Sequence, residues 1–329
     1  LPLVFERMPT TLLLTFFALT LAVVIAIPVG ILTAVKRYSV IDHLATVTVL
    51  LGQSMPVFWT GIMLTLLFAV TWRLLPVSGW ETWQATVLPA ITLGTFQAPL
   101  FLRMSRSAML AVLGLLSAGH QARHLGLLWI ATEAVTLAAV PLLHFNGTPR
   151  AFEATWKYLL VGGTGIALSL LGSFCLGYAS LHGGGGGDLT FAALTAQGAG
   201  LSRPWVLTAW VLLLTGYGTK MGLAPMHTWK PDAYGEAPGI VGAMLAGGVT
   251  TVAFTAVLRV RAVVAAAGAG AIADRTLLGI GLFSMIVAAL FLLGTRDFKR
   301  MLAYSSVEHM GILVVGAALG RLGVWAALF

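Results

Sequence analysis

Cysteine is almost missing from this sequence: Cys175 is the one cysteine in 329 residues. It lies in an apolar run, so disulfides and cysteine-ligated metals or clusters are excluded within the chain. Charge is scarce as well. Charged residues make up 9% and hydrophobic ones 58%, a balance that no soluble globular domain has. The net charge of +8 is scattered between apolar blocks, with no basic stripe and interleaved aromatics to mark a nucleic-acid partner. Such loop charges set orientation in a bilayer. Among seven histidines only His120 and His124 stand four apart, with no acidic residue close in sequence, so no metal-ligand set is expected. No Ser-His-Asp arrangement or dinucleotide fingerprint occurs. The chain is therefore expected to hold no catalytic centre and no cofactor of its own. There is no basic leader or cleavage site after Leu1, and both Leu1 and Phe329 read as cuts.

What is present is apolar sequence in blocks of about twenty residues, the length that crosses a hydrocarbon core of roughly 30 Å. Nine such blocks run over 10–35, 45–70, 87–108, 124–145, 157–180, 204–224, 238–258, 276–294 and 301–320. Backbone groups in lipid must satisfy one another internally, and no alternating ten-residue segments suggest a barrel. The expected fold is all-α, a polytopic membrane protein of about nine transmembrane helices. The five glycines of "HGGGGGD" fall in the connection between the fifth and sixth spans. They lack the Gly-Lys-Ser/Thr ending and the preceding strand of a phosphate loop.

Orientation raises a conflict of parity. Lys36 with Arg37, and Arg103 with Arg106, belong in the cytoplasm by the positive-inside rule, and so does the group Arg296, Lys299 and Arg300. Counting spans between these groups leaves one crossing short between Arg106 and His124. The apolar stretch 108–119 there spans roughly 18 Å, too short for the core. Either one long helix from about 87 to 119 absorbs it, or the parts on either side of residue 113 disagree about topology.

A few polar residues stand where hydropathy alone would not put them. Glu133, nine residues after His124 and so about 14 Å along a helix, lies near mid-membrane, and an acid there is a functional-site hypothesis by default. Lys220 lies deep in the sixth span; its alternative is to snorkel to the interface. A lysine at the bilayer centre costs roughly 2.5 to 3.5 kcal/mol. Pro225 removes a backbone donor while Gly216, Gly218 and Gly222 loosen the same stretch, so a broken helix is expected there. Transporters use such breaks at midplane sites. Burial favours the neutral form of an amine in general, and a nearby carboxylate favours the charged form. Moving such a pair apart changes proton affinity by about 3 to 4 kcal/mol. Carrying one charge through about 150 mV requires roughly 3.5 kcal/mol, so the magnitudes match. His227, beside Lys230, Asp232 and Glu236, lies after the break, where it either admits protons or caps the interface. Glu308 and His309, with Ser305 and Ser306, either extend a polar axis or hydrogen-bond between helices. Arg259 and Arg261 read as anchors.

Two resemblances follow from quoted text. Residues 1–113 carry "ERMPTTLLLT", "IPVGILTAVKR", "QSMPVFWTGIML", "LLPVSGW", "LPAITLG" and "LFLRMSRSAMLAVL" in order. This block resembles the membrane subunit of ABC importers for dipeptides, oligopeptides and nickel, truncated before the coupling loop that docks on an ATPase. Residues 114–329 carry "HLGLLWIATEAVTL", "ATWKYLL", "GYGTKMGLAPMHTWKPDAYGEAPG" and "RDFKRMLAYSSVEHMGIL". This block resembles the antiporter-like proton-channel subunits of complex I and of membrane-bound nickel–iron hydrogenases, nearest to component F of the hydrogenase-4 type.

The second resemblance implies a proton-translocating subunit without redox cofactors, with Lys220 as proton carrier, Glu133 as its modulator and an interrupted helix at Gly222 and Pro225. It also implies partner subunits of a hydrogenase or complex I-like assembly in a bacterial or archaeal inner membrane. Many relatives carry a histidine or lysine in the helix after the break, where this chain reads "GAMLAGGVTTVAF". The alternatives are a permease fragment that needs an ATPase partner, and a fusion of two gene fragments that inserts without activity.

Overall fold

The computed structural model describes residues 2–36, 38–77, 79, 82–320 and 323, so Arg37, Ser78 and Trp80 of the quoted motifs and both chain ends lie outside the described residues. Helix accounts for almost all of it. Among the described residues the nearest approach to a strand is one bridge between His124 and Thr190. Six stretches among the described residues are long and apolar enough to cross a bilayer: Met8–Val35, Trp83–Gln121, Leu125–Asn146, Pro149–His182, Gly239–Gly294 and Phe298–Ala318. The chain is an all-α polytopic membrane protein. It divides into two compact units, Leu1–Leu110 and Ala111–Phe329.

The first unit holds α1 (Pro2–Val35), α2 (Val40–Ser54), α3 (Val57–Leu64, running on as a π-helical turn Thr65–Thr71) and the N-terminal part of α4 (Trp83–Gln121). The span expected over 45–70 is thus two helices. Pro56 stands at the N-cap of α3 in extended conformation, as a residue without a backbone donor allows. α1 and α4 approach closely through glycine: a Cβ on Gly30 would lie 2.8 Å from the Leu102 carbonyl, and one on Gly94 3.0 Å from that of Ala18. Small residues at such crossings let helices gain van der Waals contact where lipid offers no hydrophobic drive. The buried Asp42 carboxylate accepts from Arg106 at 3.0 Å and from the Tyr38 N–H at 3.0 Å.

The short apolar piece before His124 belongs to α4, which runs unbroken from Trp83 to Gln121. The single long helix expected as one reading of this stretch is present.

The second unit contains α5 (Leu125–Leu143), α6 (Pro149–His182), α7 (Phe191–Gln197), α8 (Arg203–Met221), α9 (Trp229–Glu236), α10 (Gly239–Met244), α11 (Thr250–Val264), α12 (Gly270–Gly294) and α13 (Phe298–Ala318). α10 joins α11 through the π-helical turn Leu245–Val249, and Gly268, at φ +75°, breaks the helical path between α11 and α12. Caps follow from sequence: Thr148 accepts from the Ala151 N–H ahead of Pro149, and Asp297 accepts from the Lys299 and Arg300 N–H groups. The core lies where α6 packs on α8 and α12 on α13, with Trp210, Tyr217, Tyr158 and Trp229 all buried. Arg259 donates to the carbonyls of Ala122 and His120, closing the C-terminal end of α4, and Arg261 pairs with Asp274 at 2.6 Å. Both arginines anchor helix ends. His124 is the N-cap of α5, its Nδ1 accepting from the Gly126 N–H at 3.0 Å, whereas the His120 ring bonds the Leu116 carbonyl.

Candidate functional site

Lys220 is the last charged residue of α8 and has no solvent exposure. Its Nζ donates to Thr136 Oγ1 at 2.5 Å and stands 5.4 Å from the centroid of the Tyr158 ring. Those partners come from α5 and α6, so three helices build the chamber. Gly162 on α6 is what makes room for it: a Cβ there would sit 2.8 Å from Nζ. Thr136 itself donates to the Thr132 carbonyl at 3.0 Å, which turns its oxygen lone pairs toward the lysine.

Glu133 precedes Thr136 by three residues on α5, and side chains three apart share a helix face. One carboxylate oxygen, Oε2, is buried without a hydrogen-bond partner. No ion pair joins Glu133 and Lys220 among the described residues; Thr136 takes the direct contact. The Tyr158 hydroxyl beside them is also buried and unpartnered. Unpaired buried polar groups are costly, and two of them, one on α5 and one on α6, lie here.

The break follows at once. Gly222 adopts φ +78° and closes α8 with N–H bonds to the carbonyls of Gly218 and Thr219, the left-handed cap that glycine supplies without strain. A Cβ there would overlap Lys230 Cδ at 2.6 Å. Ala224, ahead of Pro225, donates its N–H to Ser284 Oγ of α12 at 2.9 Å. Trp229 Nε1 donates to the Thr219 carbonyl at 2.8 Å. Lys230, fully buried, donates from Nζ to the Met221 carbonyl at 2.8 Å and the Ser306 carbonyl of α13 at 3.4 Å, beneath the Tyr234 ring. The backbone groups freed by the interruption are thus taken up by side chains of α9 and α12.

His227 lies in the break, 6% exposed, with Nδ1 unpartnered and its ring against Phe291 and Tyr304. Tyr304, stacked on Phe291, also lines a cavity of about 540 Å³ with Arg150, Glu236, Arg296, Asp297 and Arg300. Asp232 on α9 binds Lys157 at 2.7 Å and Arg300 at 3.2 Å. On α13, Glu308 is half-buried and His309 faces outward, its Nδ1 2.7 Å from the Ser305 carbonyl of its own helix. The structure therefore sets Lys220 against Thr136, one turn after Glu133 on α5, keeps His227 in the break, and leaves His309 at the surface of this chain.

Sequence reasoning passed over Thr136, Tyr158 and Ser284. The "TEAVT" spacing that puts Thr136 a turn after Glu133 was a usable signal; the reach of Ser284 to Ala224 across sixty residues was not.

The family model described as NADH:quinone oxidoreductase/Mrp antiporter, TM, matches residues 122–329. The chain belongs to this family. A second model, of the binding-protein-dependent transport system inner membrane component, matches residues 26–115. Relatives include the hydrogenase-4 component F homolog of Methylacidiphilum infernorum, 37% identical over 240 residues that cover 72% of this chain and 50% of that protein. Subunit N of the NADH-quinone oxidoreductase of Deinococcus radiodurans is 34% identical over 203 residues, 58% of this chain and 40% of its own length. The chain spans about half the length of the curated relatives it matches. A chain of respiratory complex I from Thermus thermophilus superposes with TM-score 0.56 at 25% identity, covering 96% of this antiporter-family chain and 66% of the other. A chain of an archaeal membrane-bound sulfane sulfur reductase shares the fold, with TM-score 0.65 at 20% identity over 94% of this chain and 66% of that one.

Proposed function

We propose that this antiporter-family chain translocates protons as a subunit of a hydrogenase or complex I-like assembly in a bacterial or archaeal inner membrane. Lys220 carries the proton, and Glu133, a turn of helix from the lysine's hydrogen-bond partner, tunes its hold on it. The observation that carries this reading is the Lys220 ammonium group, sealed from solvent and held by the neutral hydroxyl of Thr136 rather than by a carboxylate. A lysine locked in an ion pair keeps its proton, whereas one held by a hydroxyl can release it when a nearby charge moves. His227 at the break, its ring against Phe291 and Tyr304, is the entry side; Glu308 and His309 continue the path along α13. Partner subunits supply the coupled reaction, and the chain brings no redox group of its own.

Proton flux into reconstituted vesicles tests this. Lys220→Ala and Glu133→Gln each abolish flux if the reading is right; flux that persists in the lysine variant removes it.

A second reading concerns residues 1–113, as a truncated ABC-permease-like block fused to the antiporter-like block 114–329. The transport-component match over residues 26–115 favours it. Sequencing reads that cross codon 113 in the source DNA decide whether the join is genuine. A permease activity would require an ATPase partner and would be indifferent to Lys220→Ala.

A further inference from the structure

The cavity of about 540 Å³ lies where apolar stretches end. Arg150 follows Pro149 at the start of α6, Glu236 closes α9 ahead of the stretch Gly239–Gly294, and Arg296 stands in the connection between Gly294 and Phe298. These three side chains line one cavity at the edge of the hydrocarbon core, at the level of lipid headgroups. Two other charges in its wall are already committed. Arg300 pairs with Asp232 at 3.2 Å, and Asp297 caps α13 by accepting from the N–H groups of Lys299 and Arg300. Arg150, Arg296 and Glu236 make no ion pair and no side-chain hydrogen bond among the described residues, either with one another or with a neighbour. Two bases and an acid thus share a cavity without neutralising each other. A simple anion would meet the carboxylate there, and a simple cation the guanidinium groups. A ligand with both charges a few bonds apart satisfies all three: guanidinium groups grip phosphate oxygens, and a carboxylate accepts from a primary ammonium. The flanks of the cavity are apolar. Leu293 is 88% exposed and Phe298 68%, on either side of the lining segment 294–297. The volume suits a headgroup, and the apolar flanks suit acyl chains, which a free phosphate ester lacks.

We propose that this cavity holds the headgroup of a zwitterionic aminophospholipid of the phosphatidylethanolamine type. Its phosphodiester lies between Arg150 and Arg296, and its ammonium group donates to Glu236. The proposal stands whether or not Lys220 carries protons.

The test is lipid retention by the full chain in detergent, read by native mass spectrometry with phosphatidylethanolamine, phosphatidylglycerol and phosphatidylcholine of matched chains. Phosphatidylglycerol has the phosphate without the amine, and the choline ammonium has no N–H to donate. We expect phosphatidylethanolamine to be held about tenfold more tightly than either, as one charge-assisted hydrogen bond supplies. Glu236→Gln should abolish that preference while phosphatidylglycerol binds at least as well as before. Arg150→Gln combined with Arg296→Gln should weaken both lipids, again by about tenfold or more. Equal retention of the three lipids by the wild type, or a preference for phosphatidylglycerol, overturns the proposal without recourse to a variant. A preference that survives Glu236→Gln unchanged also overturns it. Soluble phosphoethanolamine should displace the lipid only in large excess; displacement at equal concentration overturns the assignment to a lipid.

Discussion

At the scale of single residues, the chamber depends on what each side chain offers a group that cannot reach water. Lys220 brings three donors and no acceptor, and Thr136 gives it a hydroxyl to bond. Thr136→Val is close in shape but has no oxygen, so the lysine is left with an unmet donor at a cost of about 1 to 3 kcal/mol. Unfolding in mixed detergent measures this, and the variant should also conduct protons more slowly than the wild type. A stability change below roughly 0.5 kcal/mol, the range of ordinary surface substitutions, would mean that the hydroxyl does not hold the lysine. Glu133 and Lys220 stood out in the sequence as an acid and a base deep in apolar runs, and of the alternatives for the lysine, burial rather than snorkelling is what the fold shows. Thr136 was not singled out, because a threonine in a membrane helix usually bonds its own preceding turn, as Thr132 does to Leu128.

Among the elements, the interruption between α8 and α9 is the one that sequence and structure describe in the same terms. Gly222 and Pro225 marked it, and the chain turns there with Gly222 at φ +78°. What holds the turn was invisible beforehand. Ser284 on α12 accepts the Ala224 N–H, and Trp229 and Lys230 return to the last carbonyls of α8. Ser284→Ala leaves that buried N–H unmet, costing about 1 to 3 kcal/mol, and hydrogen exchange over residues 219–228 should quicken while α6 stays protected. Exchange unchanged over that segment would show that Ser284 is incidental to the break. The span expected over 45–70 is two helices for a related reason: Pro56 offers no donor to continue α2, so the chain restarts at Val57.

For the whole molecule, the chain behaves as two units with separate interiors, Leu1–Leu110 and Ala111–Phe329. Every contact of Lys220, Lys230 and His227 described above lies within the second unit. A chain of residues 111–329 is therefore expected to keep the Lys220 chamber, with exchange protection over α6 and α8 as in the full chain. Loss of that protection on removing residues 1–110 would mean the interiors are not independent. The boundary falls inside α4, where hydropathy saw a span too short to cross and the helix simply runs on. Local hydrogen bonding decides helix continuity, and lipid thickness does not.

The sequence by itself determined the class of molecule and the rough limits of most of its apolar segments, and it singled out the polar residues that stand within them. Each of those follows from transfer free energies that depend on residue type alone. Only the tertiary structure decided that Lys220 bonds a threonine instead of a glutamate, that Lys230 closes the break from within, and that His309 looks outward. Those outcomes depend on which helix faces meet, and two side chains eighty residues apart become neighbours only when the packing of glycines such as Gly162 lets their helices approach.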